Sequence, residues 1–333
     1  MATTPILEAD EFMHTPTDHP QFNESAYYNF VDDNSGFAVL IRMGNRVNEG
    51  YAEVTVLLYL PGGEAAIRFE KAPIETNDAF EAGGLKFEVV EALQQIQVSF
   101  DGTAYLLEKG TALEDPKKAF TTSPVVPLHL SLRYGNVVPV YGLGGGAGGS
   151  GIEGAEDTIA TGHYQGPCRV DGWVEVDGDK KQIAGLGYRD HSWGPRKWQA
   201  PTYWRWISCM VDDKNGFVAW SQKIGDTRSP GNGMVLRDGI VELVNRVEVT
   251  SVYGDAPHYP TSFEVSMWTE SGEQVGASGE IFQVVPLRNR RDGLVARLAE
   301  VLVKLRFQGG VGYGISEYHD RMDDGVPAGM AEA

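Results

Sequence analysis

The densest concentration of reactive side chains lies in one short segment, residues 185–210, which reads GLGYRDHSWGPRKWQAPTYWRWISCM. Asp190 and His191 stand side by side there and belong to residue types that transfer protons in enzymes. Four of the seven tryptophans also lie in this segment, and large aromatic rings supply apolar walls with polar handles. The combination indicates a pocket in which an apolar molecule undergoes acid–base or carbocation chemistry.

The same residues also have a structural interpretation. Asp190 can hold a chain corner by accepting backbone N–H bonds, and His191 can be an interior histidine whose polar atoms are satisfied. Each tryptophan, taken singly, is typical of a hydrophobic core. Composition alone does not decide whether Asp190 and His191 have a structural or a catalytic role.

Other reaction classes lack their sequence patterns. The seven histidines show no HxH or HxxxH spacing, and Cys168 and Cys209 lie 41 residues apart without a CxxC partner, so no metal site is expected. A GxSxG nucleophile elbow is absent. The glycine-rich segment 142–154 contains a GxGxxG match, but no helical pattern follows it. This segment is therefore predicted to be a flexible loop, and no cofactor is expected.

The net charge of the chain limits the classes of partner that it is expected to bind. The chain has 28 basic and 46 acidic side chains, which gives a formal charge of −18. Binding to nucleic acid or to an anionic membrane needs a concentrated basic face, so neither partner is expected. No apolar run is long enough to span a membrane, and a secretory signal pattern is missing. The expected partner is a hydrophobic small molecule and the expected location is cytoplasmic, whereas the oligomeric state is not predicted.

The elements that would position the reactive segment are predicted to be strands. Short alternating runs rich in Val, Ile, Phe and Tyr are separated by turn signals such as Pro61-Gly62-Gly63 and Asp177-Gly178. Many short strands without long helical patterns predict an all-β chain of antiparallel barrels or sandwiches. The expected domains are residues 1–180 and 181–333. One late amphipathic helix is predicted over 289–307, with its leucines and valines on one face.

The motif Asp190-His191-Ser192-Trp193-Gly194 and several flanking stretches resemble a known superfamily. The stretches are NFVDDNSGFAVLIRMGNRVNEG (29–50), AGGLKFEVVEAL (82–93), GHYQGPCRVDGWVEVDG (162–178) and GYGISEYHD (312–320). They are similar to the AttH and carotenoid 1,2-hydratase (hydroxyneurosporene synthase) superfamily, which includes kievitone hydratase-like proteins and fungal decalin-forming Diels–Alderases. The resemblance implies two lipocalin-like β domains with a pocket at or near their interface and the motif where the second domain begins.

The resemblance also implies a class of reaction. Members act on apolar polyenes, isoflavonoids or polyketides by adding or removing water, isomerising or cyclising, generally without a cofactor. Here that implies a terpenoid-, steroid- or polyketide-like substrate, with Asp190 as general acid or base and His191 orienting it or carrying its proton. The other expected catalytic groups are Tyr164 and Tyr188, and the expected substrate-binding residues are Trp193, Arg196, Tyr203, Trp204, Trp206 and Glu317.

Two other functions fit the same sequence. A lipocalin-like carrier would bind a hydrophobic ligand in a β-barrel and perform no chemistry. A protein-interaction scaffold would use the basic face of the predicted 289–307 helix. An acid that faces an enclosed apolar cavity favours the enzyme, because burial raises the pKa of a carboxyl group.

Overall fold

The computed structural model describes residues 5–143 and 160–332, so most of the glycine-rich segment 142–154 lies outside the described residues. The first part of the chain forms an 11-stranded antiparallel sheet. Its strands are β1 (Phe22–Asp32), β2 (Phe37–Arg46), β3 (Tyr51–Tyr59), β4 (Ala65–Pro73), β5 (Glu81–Ala82), β6 (Leu85–Glu91), β7 (Gln95–Leu107), β8 (Val125–Asn136), β9 (Tyr141–Leu143), β10 (Gly162–Val176) and β11 (Asp179–Pro195).

This first sheet closes on itself. The strand order is β4-β3-β2-β1-β11-β10-β8-β7, and β7 pairs back with β4. β11 lies between β1 and β10, so that His191 is opposite Ala26 on one side and Tyr164 on the other. The closed ring consists of the eight strands in this order. A closed barrel of about eight strands has an interior just wide enough for side chains or one small ligand.

The second part of the chain forms a 10-stranded antiparallel sheet, which closes in the same way through pairing of β12 with β20. Its strands are β12 (Pro201–Asp212), β13 (Asn215–Ile224), β14 (Thr227–Arg228), β15 (Asn232–Arg237), β16 (Ile240–Tyr253), β17 (Pro260–Thr269), β18 (Gln274–Arg291), β19 (Leu294–Phe307), β20 (Gly310–Asp323) and β21 (Val326–Pro327). The prediction of an all-β chain with two antiparallel β domains is confirmed.

The late helix predicted over 289–307 is wrong. Those residues form the hairpin of β18 and β19, which turns at Asp292 and Gly293 with φ angles of 53° and 78°. Positive φ at two successive residues is the conformation of a tight hairpin turn, for which Asp-Gly is a preferred pair. The basic helical face required by the scaffold interpretation is therefore absent. In the part of the chain that the structure describes, the only α-helix is α1 (Pro116–Thr122), and no helix is long and apolar enough to cross a membrane.

Four short 3₁₀ segments complete the described structure, at Glu8–Glu11, Val47–Glu49, Gly110–Glu114 and Ala328–Glu332. The chain divides into two compact units, of which the first comprises Met1–Lys109 with Pro116–Lys197 and the second Gly110–Asp115 with Trp198–Ala333. The expected division at 180/181 differs from this one. β10 and β11 pair along 15 positions through the Asp177-Gly178 turn, so the motif strand stays in the first sheet.

The core of the first barrel comes from alternate positions of its strands. Ala26, Tyr28 and Phe30 of β1 point inward together with Val39 and Ile41 of β2. All ten positions of β2 are buried, so its outer face is covered as well. A strand that is buried on both faces reads as a near-continuous apolar run. Polar side chains among these inward positions are therefore exceptional, and they mark the candidate site.

Candidate functional site

Strand β11 divides the predicted site residues between two faces. Successive residues of a strand point to opposite sides, so His191 and Trp193 share one face whereas Tyr188 and Asp190 share the other. His191 faces the barrel interior and contacts Glu24, whereas half-buried Asp190 has its carboxylate 3.7 Å from His163 Nε2. The expected relay between Asp190 and His191 is therefore not present, because neighbouring strand residues cannot face each other.

His191 instead joins two groups from the neighbouring strands. Its Nε2 lies 2.9 Å from Glu24 Oε1 on β1, and its Nδ1 lies 3.3 Å from the Tyr164 hydroxyl on β10. All three side chains are at most 2% exposed. The structure thus brings together two predicted residues, His191 and Tyr164, with a carboxylate that the sequence interpretation did not include.

The Glu24 carboxylate is ionised and orients the imidazole. Burial alone would raise the pKa of Glu24, but hydrogen bonds from His14 and His191 outweigh burial and lower the pKa to about 2. An ionised carboxylate only accepts hydrogen bonds, so His191 Nε2 carries a proton. In neutral His191 the Nδ1 atom is then an acceptor, 3.3 Å from the Tyr164 hydroxyl. Glu24, His191 and Tyr164 thus form one hydrogen-bonded line across three neighbouring strands.

The Tyr164 hydroxyl ends this line at a second buried carboxylate, that of Glu11. Tyr164 donates to Glu11 Oε1 over 2.8 Å, and Arg189 binds both carboxylate oxygens, at 2.7 and 3.0 Å. The backbone N–H of Leu93 donates to Glu11 Oε2 over 2.7 Å. Burial and the charge of Glu11 raise the pKa of Tyr164 well above its usual value. The phenol is therefore neutral and acts as a donor.

Glu11 belongs to a segment that precedes β1, residues 5–14, which we call the strap. His14 anchors the end of the strap because its ring stacks on Trp193, with centroids 3.8 Å apart, and its Nδ1 lies 2.7 Å from Glu24 Oε1. Asn77 donates to Glu24 Oε2 and to the His14 carbonyl, over 2.6 and 2.9 Å. The strap is thus held on the barrel by its polar groups.

A small cavity of about 20 Å³ lies beside these groups. Glu11 and His191 provide its polar wall, and its apolar wall consists of Ala26, Tyr28, Phe80, Phe87, Val89 and Ile96. A volume of this size holds roughly one water molecule. With the strap in place, this cavity accommodates water next to His191 but not a large apolar ligand.

His14, Glu24 and His191 are also a group of potential metal ligands, with one ligand atom each within 4.8 Å of the others. The two nitrogens lie 2.7 and 2.9 Å from the same carboxylate oxygen. Ligands on a tetrahedral metal with bonds of ~2.1 Å are separated by roughly 3.3 Å. The observed distances fit hydrogen bonds better than a metal shell, so we describe the group as a hydrogen-bonded cluster.

The remaining predicted residues lie elsewhere. Arg196 donates to Ser192 Oγ over 2.8 Å in the first unit. In the second unit Trp204 stacks on His319, with ring centroids 3.9 Å apart, and donates to Glu317 over 3.0 Å. Tyr203 and Trp206 are buried on opposite faces of β12. Each unit therefore holds its own polar–aromatic cluster, and the residues that the sequence grouped belong to two different units.

Residues Glu11, His14, Glu24 and Arg189 were missed as members of the site. Glu24 had one usable signal, since it is a charged residue in phase with Ala26, Tyr28 and Phe30, the alternate apolar positions of β1. A fully buried carboxylate is rare unless it is paired, which makes such a residue a candidate. Glu11 and His14 lie in an acidic segment without periodicity, where no sequence signal identifies them.

The fold has known structural relatives. CghA is 13% identical, with a TM-score of 0.56 over 92% of this chain and 90% of that one. Kievitone hydratase from Nectria haematococca is 13% identical, with a TM-score of 0.58 over 95% of this chain and 93% of that one. A candidate AttH from Nitrosomonas europaea is 14% identical, with a TM-score of 0.52 over 91% of this chain and 97% of that one. These likenesses confirm the expected AttH-like, lipocalin-type fold and, at such identities, concern the fold alone.

A comparison with curated proteins returned no match. Among family profiles, one described as a domain of unknown function, DUF7064, matches residues 7–322. That range includes both barrels, the strap from Leu7 onward and every residue of the hydrogen-bonded line. The chain therefore belongs to the DUF7064 family.

Proposed function

We propose that this protein is a cofactor-independent enzyme that adds or removes water from a hydrophobic small molecule, or isomerises or cyclises it. The observation that carries the proposal is the line of a buried carboxylate, an imidazole and a phenol, Glu24–His191–Tyr164, with contacts of 2.9 and 3.3 Å. A carboxylate that orients a histidine, which in turn contacts a hydroxyl, is a recurrent arrangement for proton transfer in enzymes.

The line works as a base and then as an acid. When a substrate gives a proton to the Tyr164 oxygen, the phenol proton, which Glu11 accepts in this structure, turns to His191 Nδ1, and the resulting imidazolium is stabilised by the Glu24 carboxylate. The reverse transfer returns the proton to another atom of the substrate, such as a departing hydroxyl. The net charge of the protein is restored after each cycle, so this chemistry needs no cofactor.

The surroundings support the same class of reaction. The water-sized cavity beside His191 would hold the water needed for hydration, and its aromatic wall, which includes Phe80 and Phe87, suits an apolar substrate. One of the structural relatives is named a hydratase. The sequence-based assignment of Asp190 and Tyr188 remains a separate proposal for the opposite face of β11.

A labelling screen tests this function. The protein is incubated with a panel of unsaturated and hydroxylated terpenoid-, steroid- and polyketide-like compounds in H₂¹⁸O and in D₂O, and the products are identified by mass spectrometry. Hydration incorporates ¹⁸O, dehydration removes the elements of water, isomerisation incorporates deuterium, and cyclisation gives a product of unchanged mass with a new chromatographic retention time. We expect at least one of these signatures. Binding of a compound without any of them would support the carrier function instead, and neither binding nor turnover across the panel would contradict both.

Variants connect the reaction to the line. His191→Gln keeps a polar side chain but cannot relay a proton between two partners, so turnover should fall about 100-fold or more. His129→Gln is the matched control, because His129 is a half-exposed histidine on β8 of the same sheet. Equal rates for the two variants would remove His191 from the reaction.

A further inference from the structure

We infer that the first barrel contains a binding site for the carboxylate of a hydrophobic acid, and that Glu11 of the strap occupies this site in place of the ligand. The inference deepens the proposed function, since it names the substrate class, and only the step from ligand to substrate rests on that function. The donors are the Arg189 guanidinium, the Tyr164 hydroxyl and the Leu93 N–H, which we call the carboxylate cradle.

The cradle matches a carboxylate in number and direction of donors. It supplies four hydrogen bonds between 2.7 and 3.0 Å, two of them from Arg189 in the forked arrangement that suits a carboxylate. Arg189 and Tyr164 are at most 1% exposed. Bonds to ionised groups in a water-excluded site are the strong ones, so the same donors suit the carboxylate of an external ligand.

Residues outside the strap hold the cradle in place. Asn136 accepts from Arg189 Nε over 2.9 Å and donates to the Leu93 carbonyl over 2.5 Å. The Tyr28 hydroxyl accepts from Arg189 Nη1 over 3.2 Å. Leu93 lies in the turn between β6 and β7, with φ of 57°, and its backbone N–H donates to the Glu11 carboxylate. The groups that hold the cradle therefore stay in place when the strap leaves.

The strap, by contrast, is weakly packed. Its large apolar side chains Leu7 and Phe12 are 58% and 52% exposed, and only Met13 packs against the core, where it is half-buried. Little hydrophobic burial therefore resists the departure of the strap. Glu11, which the cradle binds, also lines the cavity that His191 and the aromatic wall of Phe80 and Phe87 border. A ligand with a carboxylate head and an apolar body would therefore fill the cradle with its head and the space left by the strap with its body.

Calorimetric titration with dodecanoate, and with dodecan-1-ol as the uncharged counterpart, tests the inference. Glu11→Gln removes the competing charge and leaves Arg189 in need of an anion, so it should bind dodecanoate at least 10-fold more tightly than the wild type does. Dodecan-1-ol should gain no such affinity. Glu53→Gln is the matched control, because Glu53 is also a buried carboxylate paired with arginines, Arg42 and Arg46, in the same sheet.

Two results would overturn the inference. One is equal affinity of Glu11→Gln and the wild type for dodecanoate, and the other is binding of the alcohol as tightly as the acid. The double variant Glu11→Gln/Arg189→Met retains no unpaired charge and should not bind the acid. Dodecanoate is saturated and cannot be hydrated, so its binding is independent of whether the protein is an enzyme.

A measurement on the wild type covers the case in which Glu11→Gln does not fold. Saturating dodecanoate should increase hydrogen exchange of strap amides at least 5-fold, because the ligand displaces Glu11, while the amides of β2 remain unchanged. An unchanged or slower exchange of the strap in the presence of bound dodecanoate would contradict displacement.

Discussion

Replacement of Glu24 by glutamine is the perturbation whose effect follows most directly from the structure. The Glu24 carboxylate accepts bonds from the ring and the backbone N–H of His14, from His191 and from Asn77. Glutamine has nearly the same shape as glutamate, but it carries no charge. Its amide nitrogen would also face groups that donate hydrogen bonds. The variant therefore removes a set of charge-assisted bonds without creating a cavity.

The pKa of Glu24 gives the size of this effect. A decrease from the usual 4.5 to about 2 corresponds to about 3 kcal/mol in the free energy of unfolding, since each pKa unit is worth ~1.4 kcal/mol. The folded state binds the proton more weakly than the unfolded state does. The stabilisation is therefore present above pH ~4.5 and is lost as the pH falls towards 2.

Urea unfolding at several pH values measures this prediction, with hydrogen exchange of β1 peptides assigning the transition to the first barrel. Glu24→Gln should be about 3 kcal/mol less stable than the wild type at pH 7, and the difference should shrink between pH 4.5 and 2. Glu264→Gln, an exposed position on β17, should change stability by less than about 0.5 kcal/mol. A Glu24→Gln difference that is small at pH 7, or that does not change with pH, would refute the described hydrogen bonding.

Two further predictions concern the second unit. Gly293→Ala should destabilise the protein by about 1 kcal/mol in urea unfolding, because φ is 78° there and the added methyl group meets open space; a gain in stability would instead indicate a helix at 289–307. Burial lowers the pKa of His319 to about 3, so the unfolded state binds a proton first and the second barrel should lose stability as the pH falls from 6.5 towards 3. His319→Gln should abolish this pH dependence, and its persistence in the variant would assign the effect to another group.

The hairpin turns of this fold could be predicted from the sequence, whereas the pairing of β18 with β19 could not. Asp177-Gly178 and similar pairs mark hairpins by their backbone preference, which is a local property. β19 has buried residues on both faces over much of its length, so its apolar residues do not alternate. The leucines of β19 then match a helical period by coincidence, and only the Asp292-Gly293 turn distinguishes the two structures.

The sequence predicts only part of the candidate site, for a different reason. His191 and Tyr164 are prominent in sequence because they accompany an aromatic-rich segment. Their carboxylate partners, Glu24 and Glu11, lie 167 and 153 residues away from them and become neighbours through the pairing of β1 with β11 and through the strap. Contacts of such sequence separation depend on which strands pair, and a single sequence does not specify that pairing.

The central claim is that protons move through Glu24, His191 and Tyr164. The most direct test is the turnover of Tyr164→Phe beside that of Tyr134→Phe on the compound identified by the labelling screen. Tyr134 is a buried tyrosine of the same barrel whose hydroxyl has no hydrogen-bond partner among the residues that the structure describes. We expect Tyr164→Phe to lower kcat about 100-fold or more and Tyr134→Phe to leave it within about 2-fold. Full activity of Tyr164→Phe together with inactive Asp190→Asn would contradict the claim and assign the chemistry to the opposite face of β11.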